Sequence, residues 1–402
     1  MDRSGTTIVI NATNIGSTID GIGVYSLNLL REIIRQKPSR RIIVYVNKSC
    51  REHLKGFTFS GRCELRWVSS WVSPDRRFVG HLLRLLYSNY LALKHRTALF
   101  VVTSQIEAVF VHTNALITIH DVIPLLFKQL HRKQYYYFKY LLGFAMNRAR
   151  GLITPSHHTK AMLETHYGIP PHRIRVIHNG GGNGELGFSV RCESPEEKYI
   201  LYAGRVVDIK NIDGVIQGFS EVARHVPHKL VIVGEGRASG FTGHGAGRSF
   251  ELRDRVIFKG YVSSEELSEL LRKASLFVFP SFYEGFGLPP LEAMARGCPV
   301  VTSGVSSLPE VCGDAAFYVD PCSVHSIAAG IHKVLTNDEL RTTLITKGYE
   351  RARLFTWKKS AREHFKLFND LVGGSGMRKP IPHTPRRTEV FGEAHAISPG
   401  VS

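Results

Sequence analysis

The sequence contains no run of 18 or more apolar residues, which excludes a hydrophobic membrane-spanning helix. Its first residues, Met1-Asp2-Arg3-Ser4-Gly5-Thr6-Thr7, lead into only three apolar ones, Ile8-Val9-Ile10, too few for the core of a secretory signal. The 402 residues include six cysteines (Cys50, Cys63, Cys192, Cys298, Cys312 and Cys322), none in a Cys-x-x-Cys pair. Thiols scattered in this way argue against a disulfide framework or a zinc site, and for a reduced, cytoplasmic protein. No Asp-x-Asp occurs, so nothing marks a divalent metal held on a diphosphate, and no metal or cofactor is expected. The P-loop pattern Gly-x-x-x-x-Gly-Lys-Ser/Thr is missing too. Acidic residues are scarce in one half only. Residues 1–190 carry 25 Lys+Arg against 10 Asp+Glu, while 191–402 carry 27 against 24, so the net charge of +18 belongs mostly to the first half. Nucleic acid could use such a surface. So could an anionic membrane, at about 1 kcal/mol per basic residue near it.

A hydrophobic fraction of 43% suits a globular protein, and the length suits two domains. Thr7–Asn11 reads as a strand, Gly16–Tyr25 as a glycine-rich turn and Ser26–Ile34 as a helix. Strand, glycine loop and helix begin a doubly wound domain. Further strands are expected at 41–46, 115–119 and 151–155. The pattern then restarts, with strands at 199–204, 229–234, 255–260, 274–279, 299–302 and 315–319 and helices at 212–225, 264–272 and 323–335. The expected organisation is a first Rossmann-like domain over 1–188 and a second over 196–355. A helix over 356–372 and a disordered Gly/Pro/Arg/Ser-rich tail over 373–402 complete it. Two basic stretches, 76–96 and 127–150, place Arg84, Lys94, Lys128, Arg132, Lys133, Lys139 and Arg148 among Leu82, Leu86, Tyr90, Tyr135-Tyr136-Tyr137 and Leu141. Such faces suit a helix lying in a membrane interface, and equally two ordinary helices packed on a core.

The densest chemistry lies in Ser281-Phe282-Tyr283-Glu284-Gly285-Phe286-Gly287-Leu288-Pro289-Pro290-Leu291-Glu292. This stretch follows an apolar strand, and its prolines can open a helix running through 291–296 to Gly297. Glu284 then sits on a loop at a strand's carboxyl end, where open α/β sheets bind ligands, and Glu292 in the first helical turn. Gly285 and Gly287 admit a ligand close to the backbone, and the helix start suits a phosphate. Two carboxylates there suit sugar hydroxyls, which donate hydrogen bonds. A structural Gly-Pro loop would also explain the stretch. Gly204-Arg205 and Lys210 follow another strand end, and a guanidinium fork beside an ammonium makes a diphosphate clamp or a solvated pair. His120-Asp121 ends the strand at 115–119. His120 could hold a ligand or a proton, although a lone histidine is more often structural, and Asp121 could be a cap. Gly21-x-Gly23 marks a close backbone approach or a turn.

Taken together, these residues resemble the retaining nucleotide-sugar glycosyltransferases of family 4. The Glu284-x₇-Glu292 stretch, Gly204-Arg205 with Lys210-Asn211, Val233–Gly236, Phe258–Val262 and Ile153–Ser156 carry the likeness over about residues 8–370. It implies a GT-B fold: α/β, with two Rossmann-like doubly wound parallel-sheet domains facing a cleft. By that resemblance Arg205 and Lys210 bind the donor diphosphate, Glu284 a hydroxyl of the moving sugar and Glu292 the ribose. Backbone N–H groups of Phe286, Gly287 and Leu288 touch sugar or phosphate, with Gly204 and Gly285 beside them, and Val262 lies near the base. Gly21 and Gly23 border donor and acceptor, and His120, with Asp121 on the acceptor side, reaches the transferred sugar. The final helix crosses back onto the first domain. Ile119–Pro124 and Gly21–Tyr25 look most like bacterial mannosyltransferases that use GDP-mannose to build lipopolysaccharide or exopolysaccharide on lipid-linked acceptors. UDP-glucose or another nucleotide sugar stays open as the donor. One departure is the glycine-rich 237–247, where the family runs into a helix.

The partners implied are a nucleotide sugar, a lipid-linked saccharide and an anionic membrane reached through the basic first domain. The protein is then peripheral on the inner face of the plasma membrane. A GT-B epimerase lacks the Glu-x₇-Glu pattern. A hinged sugar-binding protein would be periplasmic. A nucleic-acid binder explains the charge but not the second domain's site.

Overall fold

The computed structural model describes residues 7–59, 61–111, 114–181, 198–236 and 254–373. Among them, two parallel sheets organise the chain. The first is built from β1 (Ile8–Asn11), β2 (Ile42–Asn47), β3 (Cys63–Val68), β4 (Leu99–Val102), β5 (Ala115–Thr118), β6 (Gly151–Thr154) and β7 (Ile174–Val176). Its order is β3-β2-β1-β4-β5-β6-β7. The second is built from β8 (Tyr199–Ala203), β9 (Lys229–Val233), β10 (Val256–Gly260), β11 (Leu276–Phe279), β12 (Val300–Ser303) and β13 (Ala316–Val319), in the order β10-β9-β8-β11-β12-β13. The strands are short Val/Ile/Leu/Phe runs because helices cover both faces of each sheet. The expected pair of Rossmann-like parallel-sheet domains is therefore present. The winding reverses between β1 and β4 in one sheet and between β8 and β11 in the other, and loops at such reversals leave a crevice.

The expected strands fall within two residues of their observed limits, but β3, β4, β7 and the helix Asp338–Leu354 were not anticipated. The helix after β11 spans Leu288–Ala295, two residues earlier than Pro290. Gly287, at φ 103°, enters the left-handed region and turns the chain directly into Leu288, so both prolines fall inside the first turn. Glu292 therefore lies two residues deeper than expected, in the second turn and beyond the reach of the helix-dipole argument. The linker expected over 180–197 falls mostly outside the described residues, as do the glycine-rich 237–247 and the tail after Gly373.

After the second sheet the chain returns. Helix Trp357–Val372 buries Trp357, Ala361, Leu367, Phe368 and Leu371 in the first domain's core beside Tyr25, Leu29 and Ile33. The outgoing and returning passages touch: the Gly181 N–H donates to Phe355 O at 3.1 Å. A side chain on Gly180 would place its Cβ 2.7 Å from Trp357 Cγ.

Candidate active site

The site is assembled from strand ends. Arg205 and Lys210 follow β8 and Glu284 follows β11, the two strands flanking the reversal in the second sheet. Their loops meet: Lys210 Nζ contacts Glu284 Oε1 at 2.6 Å, with only 18% and 9% of the two side chains exposed. Glu284 is held from behind, its N–H donating to Ser306 Oγ at 2.9 Å and its carbonyl accepting from Ser307 Oγ at 2.9 Å. Ser307 also donates to Phe286 O at 2.8 Å, which fixes the loop's entry into the helix. The N–H groups of Phe286, Gly287 and Leu288 find no acceptor among the described residues. Three free donors in a row at a helix start make an anion cradle. Exposed Arg205 lies close enough to half-buried His131 of the first domain to help burial depress that imidazole's pKa. Gly204 packs its backbone under Phe279, 3.3 Å from where a Cβ would stand.

The first domain supplies the opposite wall. His120, after β5, is buried. Its Nε2 pairs with Thr103 O at 2.8 Å; since a carbonyl only accepts, that nitrogen carries the proton. Burial lowers its pKa to about 4, so the ring is neutral at pH 7. The Asp121 carboxylate accepts from Ile123 N–H at 3.0 Å, the capping role left open by the sequence. Burial pushes its carboxyl up to about 6, and both Lys210 and Glu284 act on it electrostatically. The segment expected as a glycine turn lies close by, but Gly21 and Gly23 belong to the first turn of a helix that starts five residues before Ser26. Asp20 accepts from Gly23 N–H at 2.8 Å at the start of helix Gly21–Arg35, and its charge reaches His120. Gly21 is exposed there and Gly23 buried.

The two walls are in contact. A Cβ on Gly285 would overlap His120 O and come within 2.9 Å of Asp121 Cβ. Gly285 O accepts from Ser156 Oγ at 2.7 Å and from Thr159 Oγ1 at 3.1 Å. The structure thus brings His120, Asp121, Lys210, Glu284 and Gly285 together. Val262 sits beyond the end of edge strand β10, half-buried against the second domain's core. Half-buried Glu292 is pushed up by burial, partly offset by Arg296.

Sequence reasoning missed the residues that join the walls. From the sequence Ser156 and Thr159 read as caps of a helix through 160–163, and Ser156 also as the end of the Ile153–Ser156 likeness. Ser156 does cap, accepting from Thr159 N–H at 3.0 Å, but both also bond across to the second domain. Arg84 is a correction: it was counted on a basic face, yet it is buried and paired with Glu107 at 2.8 Å. It faces inward from helix Arg77–Lys94, while Val79, Leu82, Leu86, Tyr90 and Leu93 form an exposed stripe at helical spacing. Tyr136, Tyr140, Leu141 and Phe144 form a second exposed stripe. The two are joined through His81 and Tyr137, whose rings lie 6.0 Å apart. Part of each stretch is buried and part is bare, so the two readings of them are compatible.

The architecture and its strand-end site are those of a two-domain group-transfer enzyme. Residues 190–351 match the model for glycosyl transferases group 1 and residues 19–180 that for glycosyltransferase family 4. O-antigen chain mannosyltransferase B of Escherichia coli is 30% identical over 269 residues, covering 63% of this chain and 70% of that protein. O-antigen chain mannosyltransferase RfbU of Salmonella typhimurium is 27% identical over 332 residues, covering 81% and 90%. Sucrose-phosphate synthase from Thermosynechococcus elongatus superposes with a TM-score of 0.72 at 19% identity, over 92% of this chain and 100% of the other. The chain belongs to the group 1 and family 4 glycosyltransferases, on the GT-B fold.

Proposed function

We propose that the chain moves mannose from GDP-mannose to a hydroxyl of a lipid-linked or polysaccharide acceptor in cell-surface polysaccharide synthesis, retaining the anomeric configuration. The observation that carries this is the juncture of Lys210, Glu284 and the free N–H groups of 286–288, faced by His120. The relatives named as O-antigen mannosyltransferases favour mannose.

In this reading Arg205, Lys210 and the helix start receive the diphosphate, and Glu284, released from Lys210, accepts from a hydroxyl of the sugar. Glu292 faces the ribose. The bond from the anomeric carbon to the phosphate oxygen breaks, and the acceptor oxygen bonds to that carbon on the same face. The acceptor's proton passes to the departing phosphate oxygen. Fixed cations and N–H groups stabilise the charge that develops on the leaving group without having to reorganise, and no divalent metal is required. Neutral His120 cannot act as a general acid at pH 7 and serves as a hydrogen-bonding wall. No helix of the described residues is long and apolar enough to cross a membrane. The two bare stripes, flanked by Lys94, Arg132, Lys133 and Lys139, instead rest on an anionic inner-leaflet surface and bring the cleft to a lipid-linked acceptor.

The experiment is thermal stability with GDP, UDP, ADP and their sugar conjugates. A ligand at 100 times its Kd adds about 2.7 kcal/mol. A shift with GDP and GDP-mannose alone supports the donor. A shift with UDP compounds keeps the transferase and overturns the donor. No shift with any nucleotide, together with no turnover, overturns the reading.

A further inference from the structure

We infer that His157, His178 and Glu310 form a binding site for a zinc-class divalent cation that ties the two domains to each other. One ligand atom from each residue lies within 4.8 Å of the other two. His157 opens helix His157–Tyr167 and His178 lies just past β7, both in the first domain, while Glu310 belongs to helix Leu308–Cys312 of the second. Two imidazoles and one carboxylate are a donor set that zinc accepts with water in the fourth position, whereas magnesium prefers oxygen ligands throughout.

The carboxylate is already aimed. Glu310 Oε1 accepts from the His157 N–H at 2.9 Å and Oε2 from the His158 N–H at 3.2 Å, so the group cannot swing away. Such backbone bonds orient a ligand from behind and leave its remaining lone pairs for a metal. His178 is fixed as well. Its ring stands edge-on to Phe355 at 5.2 Å and lies 6.1 Å from Phe286. Its Nε2 now donates to Glu310 Oε1 at 2.7 Å. A cation takes that proton's place; the neutral ring keeps one proton by carrying it on Nδ1. Two ligands at about 2.0–2.1 Å from a tetrahedral ion stand roughly 3.3 Å apart, so this pair needs to open only by about 0.6 Å. His157 is exposed, and its ring, 5.9 Å from that of His178, is free to swing in as the third ligand. Arg351, which bonds the Glu310 carbonyl, is also engaged with the Val311 carbonyl at 2.8 Å.

The consequence is regulatory. A filled site is a further bond between the two domains whose walls meet at the cleft, so zinc holds the cleft shut and slows turnover. That effect rests on the transferase reading; binding does not. The test is calorimetric titration of the full chain with zinc chloride, with thermal stability in parallel. Wild type is expected to bind one zinc with a rise in Tm, and magnesium to give none. His157→Ala, an exposed change that keeps the backbone cap, weakens zinc at least tenfold. Cys322→Ser and His332→Ala, at other surface positions, leave it unchanged. Zinc binding that His157→Ala does not alter, or that His332→Ala abolishes equally, overturns the site. Zinc that binds without slowing turnover of wild type relative to His157→Ala overturns the tie. Loss of every nucleotide effect with zinc binding intact marks failure of the transferase reading alone.

Discussion

Substituting Gly285 by alanine tests whether the closed contact between the walls is the working state. Gly285 is not among the glycines with positive φ, so alanine costs nothing in local backbone conformation. The added carbon would stand 2.9 Å from Asp121 Cβ and closer still to His120 O. Carbon atoms in contact prefer about 3.5–4.0 Å, so the walls must part by about 1 Å. The same shift lengthens the Ser156 and Thr159 hydrogen bonds to Gly285 O, which span 2.7 and 3.1 Å. Lys210, Glu284 and the helix start all belong to the second domain and keep their mutual geometry. Nucleotide affinity is therefore expected to change by less than about threefold, while kcat falls about 10²-fold, the usual effect of a 1 Å misplacement. That fall corresponds to about 2.7 kcal/mol of transition-state stabilisation. The assay is steady-state transfer with the donor defined by the nucleotide series, alongside nucleotide titration. Gly285→Ala with kcat within threefold of wild type would refute the idea that turnover needs this contact, and a loss confined to nucleotide affinity would place the fault in the donor loop instead.

Lys210→Ala is expected to lower kcat about 10²-fold through loss of charge on the leaving group, measured by single-turnover transfer; near-normal kcat removes that role. Asp121 has its pKa raised to about 6, so its proton is favoured by the fold, and stability declines as pH rises from about 4 to 6 while the unfolded chain ionises first. Asp121→Asn should thus raise Tm at pH 7.5, with the gain vanishing below about pH 4; a gain that persists there refutes the assignment. Leu86→Glu with Tyr140→Glu should cut cosedimentation with phosphatidylglycerol vesicles severalfold and spare binding to a soluble nucleotide. In zinc-free buffer, turnover in excess EDTA should match turnover without it; a loss in EDTA that added magnesium restores would contradict the metal-free mechanism.

Strands with both faces covered were easiest to read: β8 and β11 are uninterrupted apolar runs closed by Gly204 and Pro280, and β1 and β5 are apolar but for Asn11 and Thr118. β3 escaped notice for the opposite reason: as an edge strand it carries Glu64 and Arg66 on a half-exposed face. Helix Asp338–Leu354 buries only Leu344, Gly348 and Ala352, too thin a stripe to stand out among its charges. At the site, the sequence offered each wall but not their contact. Ser156 and Gly285 are 129 residues apart, and nothing in either segment announces the other. Arg84 misled because helical spacing cannot tell a charge facing water from one buried against Glu107.

The two passages between the domains lie side by side, where Gly180 and Gly181 touch Phe355 and Trp357. Torsion about this crossing would swing one domain against the other rather than slide it. A small torsion there is magnified with distance towards the far lip of the cleft. Gly180 has no room for a side chain, so bulk at that single position would jam the pivot while every residue that meets substrate stayed intact.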